Sequence, residues 1–578
     1  MQLSIVLVIV MAGILKHTSA VSNGTSYHPI NGWYPCHEYT FSEAGSSSED
    51  AECAVYTAPL CYPGICEPSE FAEPSVDIFV KRLPASAGDP KTARNVWLVQ
   101  GGPGVSSTTL EIPMEDLHSR LEGKFNVYTM DHRGTGRSTL LDCVAAQSTT
   151  TGSTLGRDVA PSEVPACAKD LRVKYGNLAS FSTTSAATDL STFISKFSNG
   201  ASSIIYGLSY GTVVVERLMH LSPPNVVGYV LDGIATSSGA SGNKFSYFSS
   251  WDVDANEVAN HFFDLCAQDS ACSAHFQSTD LSTMLQNVLT KIDNDPNSTC
   301  ATLVSNFTDA TSPGRGLRKT LGEQVKGKWT RVLVPAVVYR LNRCDSNDVA
   351  VLNHFFSAQS ESGTSQDDAF ESTLLYYLIV FSEMWETPSP SIAELESRFL
   401  NAGIADGSYE LGPLYCAFSK EESPACDALK FGNYEGEGIV YQRDQYWNKS
   451  ATVPAQASVL LLSSKLDSQT PHKYAEYLLD ALDAPQKELV TFDDATHVIT
   501  QSTYFRGVND TMRSCGMEIF ASYVSNDGDL QQLDRSCIKE MPALNMTMPI
   551  GLLESYFSTD DAYDGVYNAT LTQIEESE

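Results

Sequence analysis

Gly207-Leu208-Ser209-Tyr210-Gly211 sets a serine between two glycines, after the apolar run SIIYG and before the helical pattern TVVVERLMHL. A serine on a sharp strand-to-helix turn exposes its hydroxyl, and neighbours without a Cβ let that turn close. The start of the following helix also favours developing negative charge. A serine hydroxyl is a weak nucleophile at neutral pH, so it needs a base within hydrogen-bond reach and a third group to orient that base. The oxyanion formed by attack needs N–H donors. Gln100-Gly101-Gly102-Pro103-Gly104 is a glycine-rich loop able to turn amides inward, and the expected donors are the backbone N–H groups of Gly102 and Tyr210, because Pro103 has none. Taken alone, the same loop also reads as a plain Gly-Pro turn.

These groups must be held by a scaffold, and short β-branched runs alternate with helical patterns in two separated blocks, as in a parallel α/β sheet. The first block contains NVWLVQ from 95, NVYTMD from 126, SIIYG from 203 and VVGYVLD from 226; the second contains SVLLLS from 458 and ELVTF from 488. Residues about 240 to 450 lack that rhythm and carry longer helical stretches, including the apolar run near Leu374 to Phe381. They are expected to form an inserted, mostly helical cap. The polar loop SAQSESGTSQDD at 357–368 is its least structured part, and no internal repeat is present.

On an α/β-hydrolase sheet the catalytic groups come in the order serine, acid, histidine, with the acid after a late strand. Asp467 stands after SVLLLSSK, and His497 follows the next strand in TFDDATHVIT. Only His472 and His497 lie beyond Asp467, and His472, in Thr470-Pro471-His472, reads as the first turn of a helix. The expected triad is therefore Ser209, Asp467 and His497. Asp467 could instead cap a helix before Pro471. Asp232, ending the strand from 226, is the rival acid, with a strand-end turn as its plainer role.

Charge and cysteine content set the surroundings. A formal net charge of −33 argues against nucleic acid, which needs a basic face. Hydrophobic residues make up 42% of the chain, enough for a sizeable core. MQLSIVLVIVMAGILKHTSA reads as a secretory signal peptide with small residues at Thr18 and Ala20, although its first residues carry no Lys or Arg. Its apolar run is too short to span a bilayer, no later run reaches spanning length, and the end of the chain lacks a lipid-anchor tail, so no membrane insertion is expected once the signal is removed. Fourteen cysteines and seven Asn-x-Ser/Thr sequons, at Asn23, Asn297, Asn306, Asn448, Asn509, Asn545 and Asn568, fit a secreted, N-glycosylated protein. Sequence neighbours suggest the bridges Cys61–Cys66, Cys143–Cys167, Cys266–Cys272, Cys416–Cys426 and Cys515–Cys537, although spacing alone does not settle connectivity. The spacing does not suit a zinc site, and neither metal nor organic cofactor is expected.

Four motifs then carry a resemblance: QGGPG at 100–104, DHRGTGRS at 131–138, GLSYG at 207–211, and the LDSQTP and ATH segments around Asp467 and His497. Together they resemble the proline iminopeptidase and tripeptidyl aminopeptidase family of α/β-hydrolase serine peptidases, over roughly residues 50–240 and 455–540. The resemblance implies an α/β-hydrolase fold, the triad Ser209, Asp467 and His497, and a helical cap whose acidic residues receive a substrate's free amine. It departs from the family at Gln100, where His is usual, at His132, where Gln is usual, and at Phe381 and Glu383, where Cys and Asp are expected. LIVFSE at 378–383 resembles the cap segment that ends in such an acid, which makes Glu383, with Glu386 nearby, the candidate amine anchor. Two carboxylates at a solvated helix end are the plainer reading. Asp131 and Arg133 are expected to buttress the loops beside Ser209 through an ion pair and tight glycine turns.

The expected architecture is thus a signal peptide at 1–20, an α/β-hydrolase core at 21–240 and 451–578 (a mostly parallel sheet flanked by helices), and a helical cap insertion at 241–450. The expected activity is that of a secreted serine exopeptidase acting on peptides with a free amino terminus. A carboxylic ester or lipid hydrolase on the same fold and a non-catalytic secreted binding protein are the alternatives.

Overall fold

The computed structural model describes residues 30–571 apart from 42–47, 49, 148–154, 237, 242–243, 309, 361–365 and 507–511. The expected signal peptide, the sequons at Asn23 and Asn509, and the middle of the 357–368 loop lie outside the described residues.

Nine strands form one sheet: β1 (Tyr34–Cys36), β2 (Ala51–Pro59), β3 (Ser75–Leu83), β4 (Asn95–Val99), β5 (Asn126–Met130), β6 (Ser203–Leu208), β7 (Val226–Asp232), β8 (Ser458–Ser464) and β9 (Lys487–Phe492). Their order is β1-β2-β3-β5-β4-β6-β7-β8-β9. From β5 onward every pairing is parallel, while β1, β2 and β3 pair antiparallel down to β5. β4, β5, β6 and β8 are buried at every position, because helices cover both faces of a parallel sheet, and this makes their sequences continuous apolar runs. β2 and β3 were not anticipated from the sequence. Their small and charged residues, as in AECAVYTAP and SVDIFVKRL, dilute the apolar signal, and β2 has only one face regularly covered. The order, with its reversal at β5-β4-β6 and a serine turn after β6, is that of an α/β-hydrolase fold.

Between β7 and β8 the described residues contain helices and no strand, beginning with Trp251–Gln268 and including Leu281–Asn294, Pro313–Lys326, Leu333–Arg343, Thr373–Glu383 and Gly412–Ser419. This insertion does not pack as one body. Helices from 258 to 356 form a separate apolar core, whereas Leu374–Trp385 and Leu414–Phe418 join the core beneath the sheet. The C-terminal stretch departs from the expected layout as well. Met546, Met548, Leu553, Phe557 and Ala562 pack into the insertion's core rather than that of the sheet. Arg340, fully buried, fastens this tail by donating to the carbonyls of Ala562, Asp561 and Gly565.

All five expected cysteine pairs are bonded, and two further bridges, Cys36–Cys53 and Cys300–Cys344, join them. The first ties β1 to β2, and the second ties helix Thr299–Asn306 to the end of Leu333–Arg343.

Candidate active site

Ser209 sits between β6 and helix Tyr210–Leu221 with φ 53° and ψ −127°, a conformation that costs free energy for any residue with a Cβ and clusters at functional sites. The turn is pinned from both sides: the Ser209 N–H donates to Asp232 O at 2.9 Å, and Ser209 O accepts from the Thr212 N–H at 2.9 Å. The two motif glycines permit close approach. A Cβ on Gly211 would stand 2.4 Å from Val99 O, and one on Gly207 would stand 2.5 Å from Gly211 O. The helix could not then pack against β4 and β6.

Asp467 follows β8 and is fully buried. Its Oδ1 accepts from the N–H groups of Gln469 and Thr470, both at 2.9 Å, and its Oδ2 accepts from Thr470 Oγ1 at 2.7 Å and from His497 Nδ1 at 2.8 Å. The carboxylate therefore shapes its own loop and orients the imidazole. Burial pulls the His497 imidazolium down, but Asp467 and, more distantly, Asp232 outweigh it, so the ring titrates above its ordinary 6.5. Thr470 also lies 3.1 Å from His497 Nδ1 and lines the same cleft as Ser209. Among the described residues no hydrogen bond joins the Ser209 hydroxyl to His497. Catalytic contacts of this kind commonly tighten only with substrate bound.

Asp232 is not the partner of the histidine. Its Oδ1 accepts from the Ile499 N–H at 2.6 Å, and its Oδ2 accepts from the Thr500 N–H at 3.0 Å, from Thr500 Oγ1 and from the Tyr206 phenol. It thereby clamps the backbone immediately after His497. Between them Val498 has φ 60°, an outlier for a β-branched residue. Gly233, next to Asp232, leaves room for the ring, since a Cβ there would lie 2.8 Å from His497 Cε1. Asp232 was expected as a rival acid or a strand-end turn former, and its clamp on the backbone after His497, like the parts of Gly233 and Val498, was not foreseen.

Gly102 and Tyr210 line the cleft beside Ser209. Among the described residues neither backbone N–H has a protein acceptor, so two uncommitted donors belong to residues on the cleft wall. The loop that offers Gly102 is braced by two residues at which the chain departs from the family pattern. Gln100 Oε1 accepts from the Gly101 N–H at 2.6 Å, and the buried His132 donates through Nε2 to Gln100 O at 2.9 Å. Burial pushes the His132 imidazole below 6.5, which suits a neutral ring in that role.

Asp131 and Arg133 do buttress these loops, but not with each other. Asp131 pairs with Arg137 at 2.8 Å and accepts from the Ser107 N–H at 2.7 Å, and a Cβ on Gly136 would collide with its carboxylate. Arg133 pairs in bidentate fashion with Asp189, at 2.7 and 2.6 Å, and donates its remaining hydrogens to the carbonyls of Leu60, Ser180 and Pro59. The two residues lie beyond the end of β5, where the chain turns through the Gly134 and Gly136 loop, so the strand's alternation no longer relates their directions.

The cleft above Ser209 is walled by Tyr247, Phe248, Trp251 and Met384 from the insertion. Glu383 lines the chamber that adjoins this cleft, with both oxygens engaged. It is buried, its Oε2 accepts from Arg217 Nη2 at 2.8 Å, and its Oε1 accepts from the Tyr441 phenol at 2.6 Å. Glu386 is likewise taken, by Ser249 and Arg398. In this structure the two carboxylates named as amine candidates are thus both engaged by internal partners.

Comparison with known proteins adds distant likenesses only. No family model matches the chain, and no curated protein does. Among solved structures, a monoacylglycerol lipase from Paleococcus ferrophilus aligns at 11% identity over 78% of this chain and 99% of its own, with a TM-score of 0.29. Acetyl xylan esterase 1 from Thermoanaerobacterium sp. JW/SL YS485 aligns at 12% identity over 82% and 83%, with a TM-score of 0.29. An esterase from Exiguobacterium antarcticum aligns at 10% identity over 74% and 91%, with a TM-score of 0.27. The α/β-hydrolase fold is read from the chain's own strand order and serine turn.

Proposed function

We propose that this protein is a secreted serine hydrolase that releases residues from the free amino terminus of peptides. The observation that carries the hydrolase reading is one cleft lined by Ser209 and by two unpartnered N–H groups, with a His497–Asp467 pair held at 2.8 Å beside it. Ser209 Oγ attacks the scissile carbonyl, and His497 accepts its proton at Nε2 while Nδ1–H stays on Asp467. The N–H groups of Gly102 and Tyr210 receive the oxyanion. His497 returns the proton to the leaving amine, and water then releases the acyl group by the same steps. The peptide preference rests on the QGGPG and DHRGTGRS motifs, and insertion residues roofing the cleft favour short substrates over folded proteins.

A second reading, hydrolysis of carboxylic esters, is favoured by the aromatic and Met384 walls of the cleft, which suit an apolar acyl group. Secretion is supported by seven disulfides with no free cysteine among the described residues, and by exposed sequons at Asn297, Asn306, Asn545 and Asn568. The deciding experiment is mass spectrometry of products from matched peptides with free and acetylated amino termini, run beside a simple ester, with Ser209→Ala as control. Release of residues only from the free peptides is the expected result. Equal cleavage of both peptide sets refutes the exopeptidase; turnover of the ester alone selects the second reading; and full activity of Ser209→Ala overturns the triad.

A further inference from the structure

Glu216 lies two helical turns beyond Ser209 on helix Tyr210–Leu221, inside the apolar run VVVERLM, and is only 3% exposed. Its Oε1 has no hydrogen-bond partner, while the hydroxyls of Thr236 and Ser238 attend the carboxylate on its other side. A buried carboxylate oxygen left without a donor is costly, and in a native structure it calls for a reason. Glu216 lines a chamber that continues the cleft of Ser209, the two sharing Ala235, Ser246, Tyr247 and Met384 as walls. The other walls mix the aromatic residues Phe245, Tyr446 and Trp447 with polar and charged ones, among them His220 and the ion-paired Arg217 and Glu383.

We infer that this chamber is a subsite for a primary ammonium group, with Glu216 as its carboxylate and aromatic rings among its walls. The inference rests on the proposed reading of the cleft as the substrate's route and names the residue that would set its preference, on the core helix rather than in the cap.

Three observations point to a cation. First, the neighbouring charges do not neutralise Glu216. Arg217, the adjacent guanidinium, is committed to Glu383 at 2.8 Å and to Asp444 at 3.0 Å, so one cation already serves two other carboxylates. Second, no other cationic group on the walls takes its place. His220 contacts Lys449 O through Nε2 at 3.0 Å, and burial pulls its imidazole below 6.5. Arg443 does not line the chamber; it stacks on Trp447 and donates to the carbonyls of Ser382 and Trp385. Third, aromatic faces beside an anionic group recognise ammonium ions through the ring quadrupole. Burial pushes the Glu216 carboxyl up to about 7, as expected of an acid without a cationic partner. A bound ammonium ion supplies that partner, so binding favours the carboxylate and releases a proton.

The test needs no turnover, so it stands or falls apart from the hydrolase reading, which labelling of Ser209 by a fluorophosphonate probes separately. The glycosylated, disulfide-bonded full chain is titrated calorimetrically with n-butylammonium, alaninamide and Nα-acetyl-lysinamide, and with neutral n-butanol as control. Glu216→Gln should weaken the ammonium ligands at least tenfold and leave n-butanol unaffected. Tighter binding of alaninamide assigns the site to an α-ammonium, and tighter binding of the lysine derivative assigns it to a side chain. Equal affinities of the wild type and Glu216→Gln overturn the inference, as does no ammonium binding at all. Should the variant fail to fold, wild-type protein carries the same question. Its affinity for n-butylammonium should rise about tenfold from pH 6 to pH 8, with proton uptake by the buffer, and a flat profile overturns the inference.

Discussion

The two ends of the cleft treat buried carboxylates in opposite ways. At the histidine end, Asp467 and Asp232 each accept four hydrogen bonds, so every oxygen is engaged and the loops around His497 have one arrangement. At the inner end, Glu216 keeps one oxygen unpartnered. A saturated network positions a group that must act with fixed geometry, whereas an unsaturated one retains capacity for something that arrives from outside. The difference separates residues that hold the chemistry in place from residues that wait for a ligand.

The strongest way to break that contrast is at Asp467. Asp467→Asn preserves shape but can present an amide N–H where the imidazole N–H needs an acceptor, favouring the wrong tautomer. A loss of kcat of about ten-thousand-fold is expected on a cleaved substrate, by the arithmetic of such triads. In the wild type the acidic limb of kcat/KM should lie above the ordinary histidine value of 6.5, because Asp467 and Asp232 raise His497 against its burial. Activity appears as pH rises through that limb, since the base must be neutral. The limb should move to lower pH in the residual activity of Asp467→Asn, and an unmoved limb would show that another group titrates.

Asp232 sharpens the comparison at smaller amplitude, because it acts through the backbone after His497 and not on the ring. Asp232→Asn keeps one acceptor and should lower kcat by roughly ten- to a hundredfold, the scale of a misplaced catalytic group. KM should barely change. A loss as large as that of Asp467→Asn would make Asp232 the true acid and refute the assignment from geometry. The experiment also bears on what the chain reveals unaided. Ser209, Asp467 and His497 were legible because each follows an apolar strand, and parallel strands deliver their C-terminal ends to one edge. The work of Asp232 and Gly233 was not legible, since it depends on groups that meet across hundreds of residues, and that of Thr470 and Val498 was not, since it depends on loop conformation. Loop conformation likewise decides that Asp131 and Arg133, two apart in one motif, pair with Arg137 and Asp189. The partners of Glu383 were hidden as well: its place after an apolar run does not reveal that Arg217 and Tyr441 hold it. β1 to β3 were missed because β1 is only three residues long and the small and charged residues of β2 and β3 dilute the apolar pattern.

The smallest expected effect concerns stability at the inner end. Glu216 titrates near 7 in the folded protein, against about 4.5 when exposed, so the folded state binds the extra proton between those values. Stability contributed by this group is then greatest below pH 4.5 and is lost as pH rises through 7, up to roughly 3 kcal/mol, because charging the buried carboxyl opposes folding. Glu216→Gln cannot charge. Its apparent melting temperature relative to the wild type should therefore rise by a few degrees between pH 5 and pH 8, measured without ammonium ions in the buffer. Adding n-butylammonium at pH 8 should stabilise the wild type and narrow the gap, because a ligand that binds only the folded state shifts the equilibrium toward it. A gap independent of pH would mean that Glu216 is satisfied by groups already in the chain, and the contrast between the two ends of the cleft would disappear.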